Sequence, residues 1–205
     1  MMDTLAGLRV GALALARPTF DVPFAESVAR AAFASLDTLG ARIVGPRDLL
    51  FDAAAAETAV AALEGERLDA LLVLQVTFTD ASMTVALARR ITAPLVLWSF
   101  PEPRTGGRLR LNALCGINLA GHALGRAGRR YGYVHAPPDA PDLAARLGAA
   151  LAVGGELGRP RPRQSRQGIR SSPRGIPRIP VRPACSPKQP RKLPRPPTCR
   201  PVSSR

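Results

Sequence analysis

The sequence predicts a doubly wound α/β domain with a mostly parallel, five-stranded sheet over residues 1–155. Three observations predict it. Short apolar runs without a helical stripe alternate with longer segments whose apolar residues recur every three or four positions. The alternation repeats five times within residues 8–155. Capping or stop residues stand at several of the junctions, as βα units require.

Leu8–Ala16, reading LRVGALALA, fits a strand buried on both faces. In Pro23–Gly40, Phe24, Val28, Ala32, Leu36 and Leu39 recur at helical spacing, and Gly40 suits the C-terminal stop. Residues 41–45, ARIVG, form a second short strand. Residues 52–65 form a second helix, with Asp52 as cap and Gly65 as stop. Asp69–Val76 is the clearest central strand. A third helix follows within Thr79–Arg90, capped by Thr79 or Asp80. Ala93–Phe100 is the fourth strand, and a loop of Pro, Gly and Arg follows it. Residues 114–126 form a fourth helix and 131–136 a fifth strand. Residues 140–155 close the domain as a fifth helix, with Pro141 suited to its first turn. The size is flavodoxin-like, the topology Rossmann-like, and the crossovers should be right-handed.

The net charge of +14 is an average over two unlike regions. All 15 acids lie at or before Glu156, together with 15 of the 29 basic residues, so 15 − 15 leaves residues 1–156 neutral. The remaining 29 − 15 = 14 basic residues fall in 157–205, with 12 of the 21 prolines. That stretch has no acid and no aromatic residue, and too few apolar residues to offset its ordering entropy. It is expected to be a disordered basic tail, 156–205. Cys115 stands alone in the body, with no CxxC pair to suggest a zinc site or a disulfide framework. No apolar run is long enough for a transmembrane helix, and no leader pattern opens the chain, so the expected location is cytoplasmic with no membrane partner.

Ligands of such sheets bind beyond the carboxyl ends of the strands. Three polar clusters collect there: Arg17–Asp21 (RPTFD), Gln75–Asp80 (QVTFTD) and Trp98–Asn112 (WSFPEPRTGGRLRLN). Singly, each fits turn and capping chemistry, and Arg104, Arg108 and Arg110 fit a solvated loop. Together they describe a binding rim. TGGRLRLN is neither a GxGxxG run between strand and helix nor a GxxxxGK[ST] loop. His122 and His135 have no partner at metal-ligand spacing and read as structural or surface residues. No nucleophile elbow or triad is complete, so the body carries no self-sufficient catalytic constellation.

The segments LARPTFD, LDALLVLQVTFTDAS, PLVLWSFPEP…GGRLRLNALCGINLAGHALGR and YGYVH, in that order, resemble the N-terminal part of the L-fucose and L-arabinose isomerase-like sugar isomerases. The resemblance covers residues 8–155. It implies a three-domain enzyme that converts an aldose to a ketose through an enediol, with manganese polarising the sugar oxygens and acidic residues moving the proton. The metal ligands are implied to lie in the later domains, leaving no cofactor in this chain. The N-terminal domain is implied to reach a neighbouring subunit's site in a homo-oligomer and to hold the sugar. Arg17, and more loosely Phe78 and Asp80, correspond to the sugar-holding positions.

Three readings of 156–205 stand beside one another. The first is a GC-rich gene read out of frame, which leaves a truncated and inactive isomerase fragment. The second is a basic arm that binds nucleic acid non-specifically through phosphates. The third is a non-catalytic sugar-binding or regulatory domain that assembles with a partner supplying the metal site.

Overall fold

The structure is a computed structural model, and it describes residues 5–103 and 106–155. Along these residues β1 (Arg9–Leu15), α1 (Val22–Thr38), β2 (Arg42–Val44), β3 (Leu49–Leu50) and α2 (Ala53–Leu63) come first. Then follow β4 (Ala70–Gln75), α3 (Ser82–Arg90), β5 (Leu95–Ser99), α4 (Ala113–Arg126), β6 (Gly132–His135) and α5 (Leu143–Gly155). The expected disordered tail, with its frame and nucleic-acid readings, and Arg104 lie outside the described residues.

The strands form one sheet in the order β2-β1-β4-β5-β6, with β3 also paired to β1. Every pairing is parallel. The sheet thus has six strands where the sequence predicts five. The extra one, β3, pairs Leu49 and Leu50 with Ala14 and Leu15. Two residues are too few to display a period, so the segment reads as a loop.

The apolar patterns resolve into two cores, one on each sheet face. Ala29, Phe33 and Leu36 of α1 and Leu147 and Ala150 of α5 pack on Val10, Ala12, Leu72, Leu74 and Trp98. Val60 and Leu63 of α2, Leu87 of α3 and Ile117 and Leu124 of α4 pack on Leu13, Leu71, Val73 and Leu97. All six residues of β4 are buried, as expected of a central strand covered by helices on both sides.

Caps explain the helix starts. Asp21 accepts from the Phe24 amide at 3.0 Å, and Pro23 occupies the first turn of α1. Asp52 accepts from the Ala55 amide at 2.8 Å. Gly40, at φ +73°, ends the α1 segment in the left-handed region that favours glycine. Helix α5 begins at Leu143, later than expected, so Pro141 precedes it rather than occupying its first turn.

The chain passes from β1 to β2 on one side and then crosses back to β4 on the other. The sheet order therefore reverses between β1 and β4, and this is the crevice where doubly wound sheets bind ligands.

Candidate functional site at the carboxyl rim

Register explains why the polar clusters meet. Strand β4 lies between β1 and β5, paired to β1 up to Leu15–Gln75 and to β5 up to Gln75–Ser99. The loops after these three strands therefore leave the sheet side by side.

Arg17 and Asp80 come together across the switch point. The Arg17 amide donates to Thr77 Oγ1 at 2.7 Å, and the Arg17 guanidinium pairs with the Asp80 carboxylate. Asp80 also accepts from the Ser82 hydroxyl and from the Ser82 amide at the start of α3. The Ser82 hydroxyl and amide, helped by Arg17, hold the Asp80 carboxyl below its ordinary value. The Arg17 and Asp80 side chains remain 39% and 50% exposed, so both are open to solvent.

Phe78 stands beside this pair. Its amide donates to the Leu111 carbonyl at 2.8 Å, tying the loop after β4 to the loop after β5. Its half-buried ring lies 6.4 Å from that of Phe20, tilted by 55°. The two rings form an aromatic shelf.

Beneath the rim, buried Gln75 donates through Nε2 to the Thr77 carbonyl at 2.7 Å and Thr79 Oγ1 at 2.9 Å. It shapes the loop from below. Gly116, on the first turn of α4, admits it: a Cβ there would stand 3.0 Å from the Gln75 amide.

Glu102 organises the third loop. Its carboxylate accepts from three consecutive backbone amides, Arg110 at 2.5 Å, Leu111 at 2.8 Å and Asn112 at 2.7 Å. The RLN end of that loop, Arg110–Asn112, thus does wrap an anion, but the anion is the chain's own carboxylate. Asn112 takes a left-handed conformation, φ 53°, to enter α4.

Two further arginines meet the loop after β1. Arg110 donates through Nε to Asp21 at 2.8 Å, and its Cζ lies 4.1 Å from the Phe24 ring centroid. The Phe24 amide, and then Arg110, hold the Asp21 carboxyl low. Arg108 donates to the Thr19 carbonyl at 3.0 Å and lies 5.7 Å from the Phe20 ring centroid.

His135 sits at the end of β6 with Nδ1 2.9 Å from Ser99 Oγ, and burial holds its imidazole below the ordinary value. His122 is exposed on α4. Among the described residues no three His, Cys, Asp or Glu side chains come together to hold a metal ion. The manganese that the resemblance implies is therefore not fitted by them. Among the same residues no helix is long and apolar enough to cross a membrane.

The sequence pointed to Arg17, Phe78 and Asp80, and the structure places all three on this rim. The part played by Glu102 escapes sequence reasoning, because its three amide partners lie 8 to 10 residues away in a loop without periodicity. Phe20 likewise reads as a turn residue until the fold sets it against Phe78.

Known proteins match this same stretch. The family described as fucose/sulfoquinovose isomerase, N-terminal domain, matches residues 11–152. A sulfoquinovose isomerase of Priestia aryabhattai is 29% identical over 133 residues, covering 65% of this chain and 30% of that protein. One from Alkalicoccus urumqiensis is 35% identical over 85 residues, 42% of this chain and 19% of its own length. One from Clostridium sp. strain MSTE9 is 29% identical over 149 residues, 71% and 32% of the two chains. The chain thus spans less than a third of the length of these relatives. Among solved structures, the lac repressor dimer bound to operator and the anti-inducer ONPF matches 63% of this chain and 54% of that one. That match has 16% identity and a TM-score of 0.35, too remote to bear on function. The match over residues 11–152, on a doubly wound sheet with a polar rim at its switch point, shows that the chain belongs to the fucose/sulfoquinovose isomerase family through that family's N-terminal domain.

Proposed function

We propose that this chain supplies the sugar-holding rim of an aldose–ketose isomerase of the fucose/sulfoquinovose type, and that Arg17, Phe78 and Asp80 hold the sugar. The observation that carries the reading is the Arg17–Asp80 pair beside the Phe20–Phe78 shelf, within the stretch that matches the family. A guanidinium donates to hydroxyl oxygens and a carboxylate accepts from hydroxyl protons, so the pair offers both halves of a diol's hydrogen bonding. An aromatic face takes the C–H side of the sugar ring. On this reading the chain contributes binding and orientation, which lower the entropic part of the barrier. The proton transfer, the manganese, the shared sites of a homo-oligomer and a cytoplasmic setting belong to the proposed whole enzyme.

The test is a titration of the isotope-labelled chain with L-fucose and with sulfoquinovose, followed through its backbone amides. Shifts confined to residues 17–21, 75–82 and 106–116, weakened about tenfold by Arg17→Ala, are expected for one lost charge-assisted contact. Shifts scattered away from the rim, or none, would reject the reading.

A further inference from the structure

We infer that the cleft between the last turns of α3 and α4 binds a small organic anion, an oxyanion head on a short apolar chain, with the head held by Arg89 and Arg129. This site lies apart from the rim and does not depend on the sugar-holding reading.

Both helices start at the rim and run back along the sheet, so their last turns lie near the amino ends of the strands. Arg129, just beyond α4, marks the place: it donates to the Ile91 and Ala93 carbonyls in the segment that enters β5. A cleft of about 210 Å³ opens there between the two helices. Val85 and Ala88 of α3 and Leu124 of α4 supply its apolar wall, Arg89 and Arg129 its charge, and no acid lines it. Clefts that enclose drug-sized ligands hold about 300–1,000 Å³. This one is smaller and suits a chain of a few carbons.

Arg129 is fixed before any ligand arrives. Its Nη2 is held by both carbonyls, and its buried Nε has no partner. Nη1 keeps its donors free among the described residues. Burial pushes the guanidinium down from its ordinary value, and no described carboxylate answers its charge. Arg89 stands on the last turn of α3, where Arg90 takes Glu64 and leaves Arg89 without an ion pair among the described residues. The carbonyl ends of helices repel anions. Here arginines occupy the last turn of each helix, and Arg129 covers two carbonyls of the loop between. A clamp on that loop needs Nη2 alone. It leaves Nη1, Arg89 and the open cleft without a role, and an anion with an apolar tail uses all three.

The experiment titrates the isotope-labelled 205-residue chain with butyl phosphate, butyrate, inorganic phosphate and 1-butanol at fixed ionic strength, followed through backbone amides. Shifts are expected at residues 85–89 and 124–129, with one of the two organic anions binding about tenfold more tightly than inorganic phosphate or butanol. The tighter of the two identifies the head group. Arg89→Gln removes one charge-assisted contact and should weaken binding about tenfold. Val85→Glu should abolish it, because the new carboxylate stands four residues before Arg89 on the helix and fills the cleft with the chain's own anion. Inorganic phosphate binding as tightly as both organic anions would overturn the inference, since the apolar wall then contributes nothing. Butanol binding as tightly would remove the part played by charge. Shifts confined to other residues, no binding at all, or an unchanged affinity in Arg89→Gln would each reject the site. Far-ultraviolet circular dichroism confirms that the variants fold; Arg89 has no described partner to lose, so its variant decides the matter if Val85→Glu does not fold.

Discussion

Glu102 closes three backbone donors with one carboxylate, and no neutral side chain of the same shape can do so. In Glu102→Gln one oxygen still accepts, while the new amide group points N–H at N–H. A loss of about 1–3 kcal/mol is expected, the usual cost of leaving amides unmade against a lost charge-assisted bond. Urea unfolding measures it, and an unchanged midpoint would show that the loop is held by other contacts. His135 gives a second expectation, with a pH sign. Burial holds the folded imidazole below its ordinary 6.5, so between that value and the lower folded one the unfolded chain binds the proton and the folded chain does not. Stability is therefore fully present above about pH 6.5 and declines as pH falls toward the folded value. His135→Asn should flatten that part of the curve, as followed by urea midpoints at several pH values. Identical slopes in both proteins would place the titration elsewhere.

At the scale of elements, glycine shows how closely helix and sheet approach. A Cβ on Gly132 of β6 would stand 2.0 Å from the Ala150 carbonyl oxygen of α5. On exposed Gly125 of α4 it would meet nothing within 4 Å. Gly132→Ala must push α5 off the sheet, and about 1–3 kcal/mol of lost stability, or more, is expected from overpacking against backbone. Gly125→Ala, near the end of α4, should gain about 0.4–1 kcal/mol by restricting the unfolded chain. Thermal melts of the pair test this, and equal shifts would refute the close approach. The same elements show what was legible beforehand. The long, strongly patterned segments were: α1 through Phe24, Val28, Ala32 and Leu36, and β4 through its unbroken apolar run. The two residues of β3 were not, since pairing rather than pattern makes them a strand. The rim was legible as three clusters, because strand ends follow from strand assignments. The partners were not: that Arg17 meets Asp80 rather than Asp21, and that Arg108 alone among the described rim arginines lacks a carboxylate, depends on how loops fold over the sheet.

On the proposed reading the chain binds sugar without reacting with it, and the carboxylates of the described rim support that expectation. Moving a proton between neighbouring sugar carbons needs a base whose pKa lies near the working pH. Burial among apolar groups or a like charge nearby raises a carboxyl toward that range. At this rim the environment acts the other way. Asp80 is held low by Ser82 and Arg17, and Asp21 by the Phe24 amide and Arg110. Both are engaged as acceptors, and Glu102 is closed by backbone amides. Asp80 and Asp21 are thus poorly tuned to accept a carbon-bound proton, while Glu102 is taken up in holding its loop. The purified 205-residue chain, supplied with manganese and either L-fucose or sulfoquinovose in deuterated water, is therefore expected to bind sugar without exchanging the C2 proton or forming ketose. Proton magnetic resonance of the sugar follows both events in one sample. Exchange at C2 would show that a rim carboxylate acts as the base after all, and Asp80→Asn would then identify or clear it. Binding without exchange is the behaviour of a domain that orients a substrate for chemistry performed elsewhere in a longer enzyme.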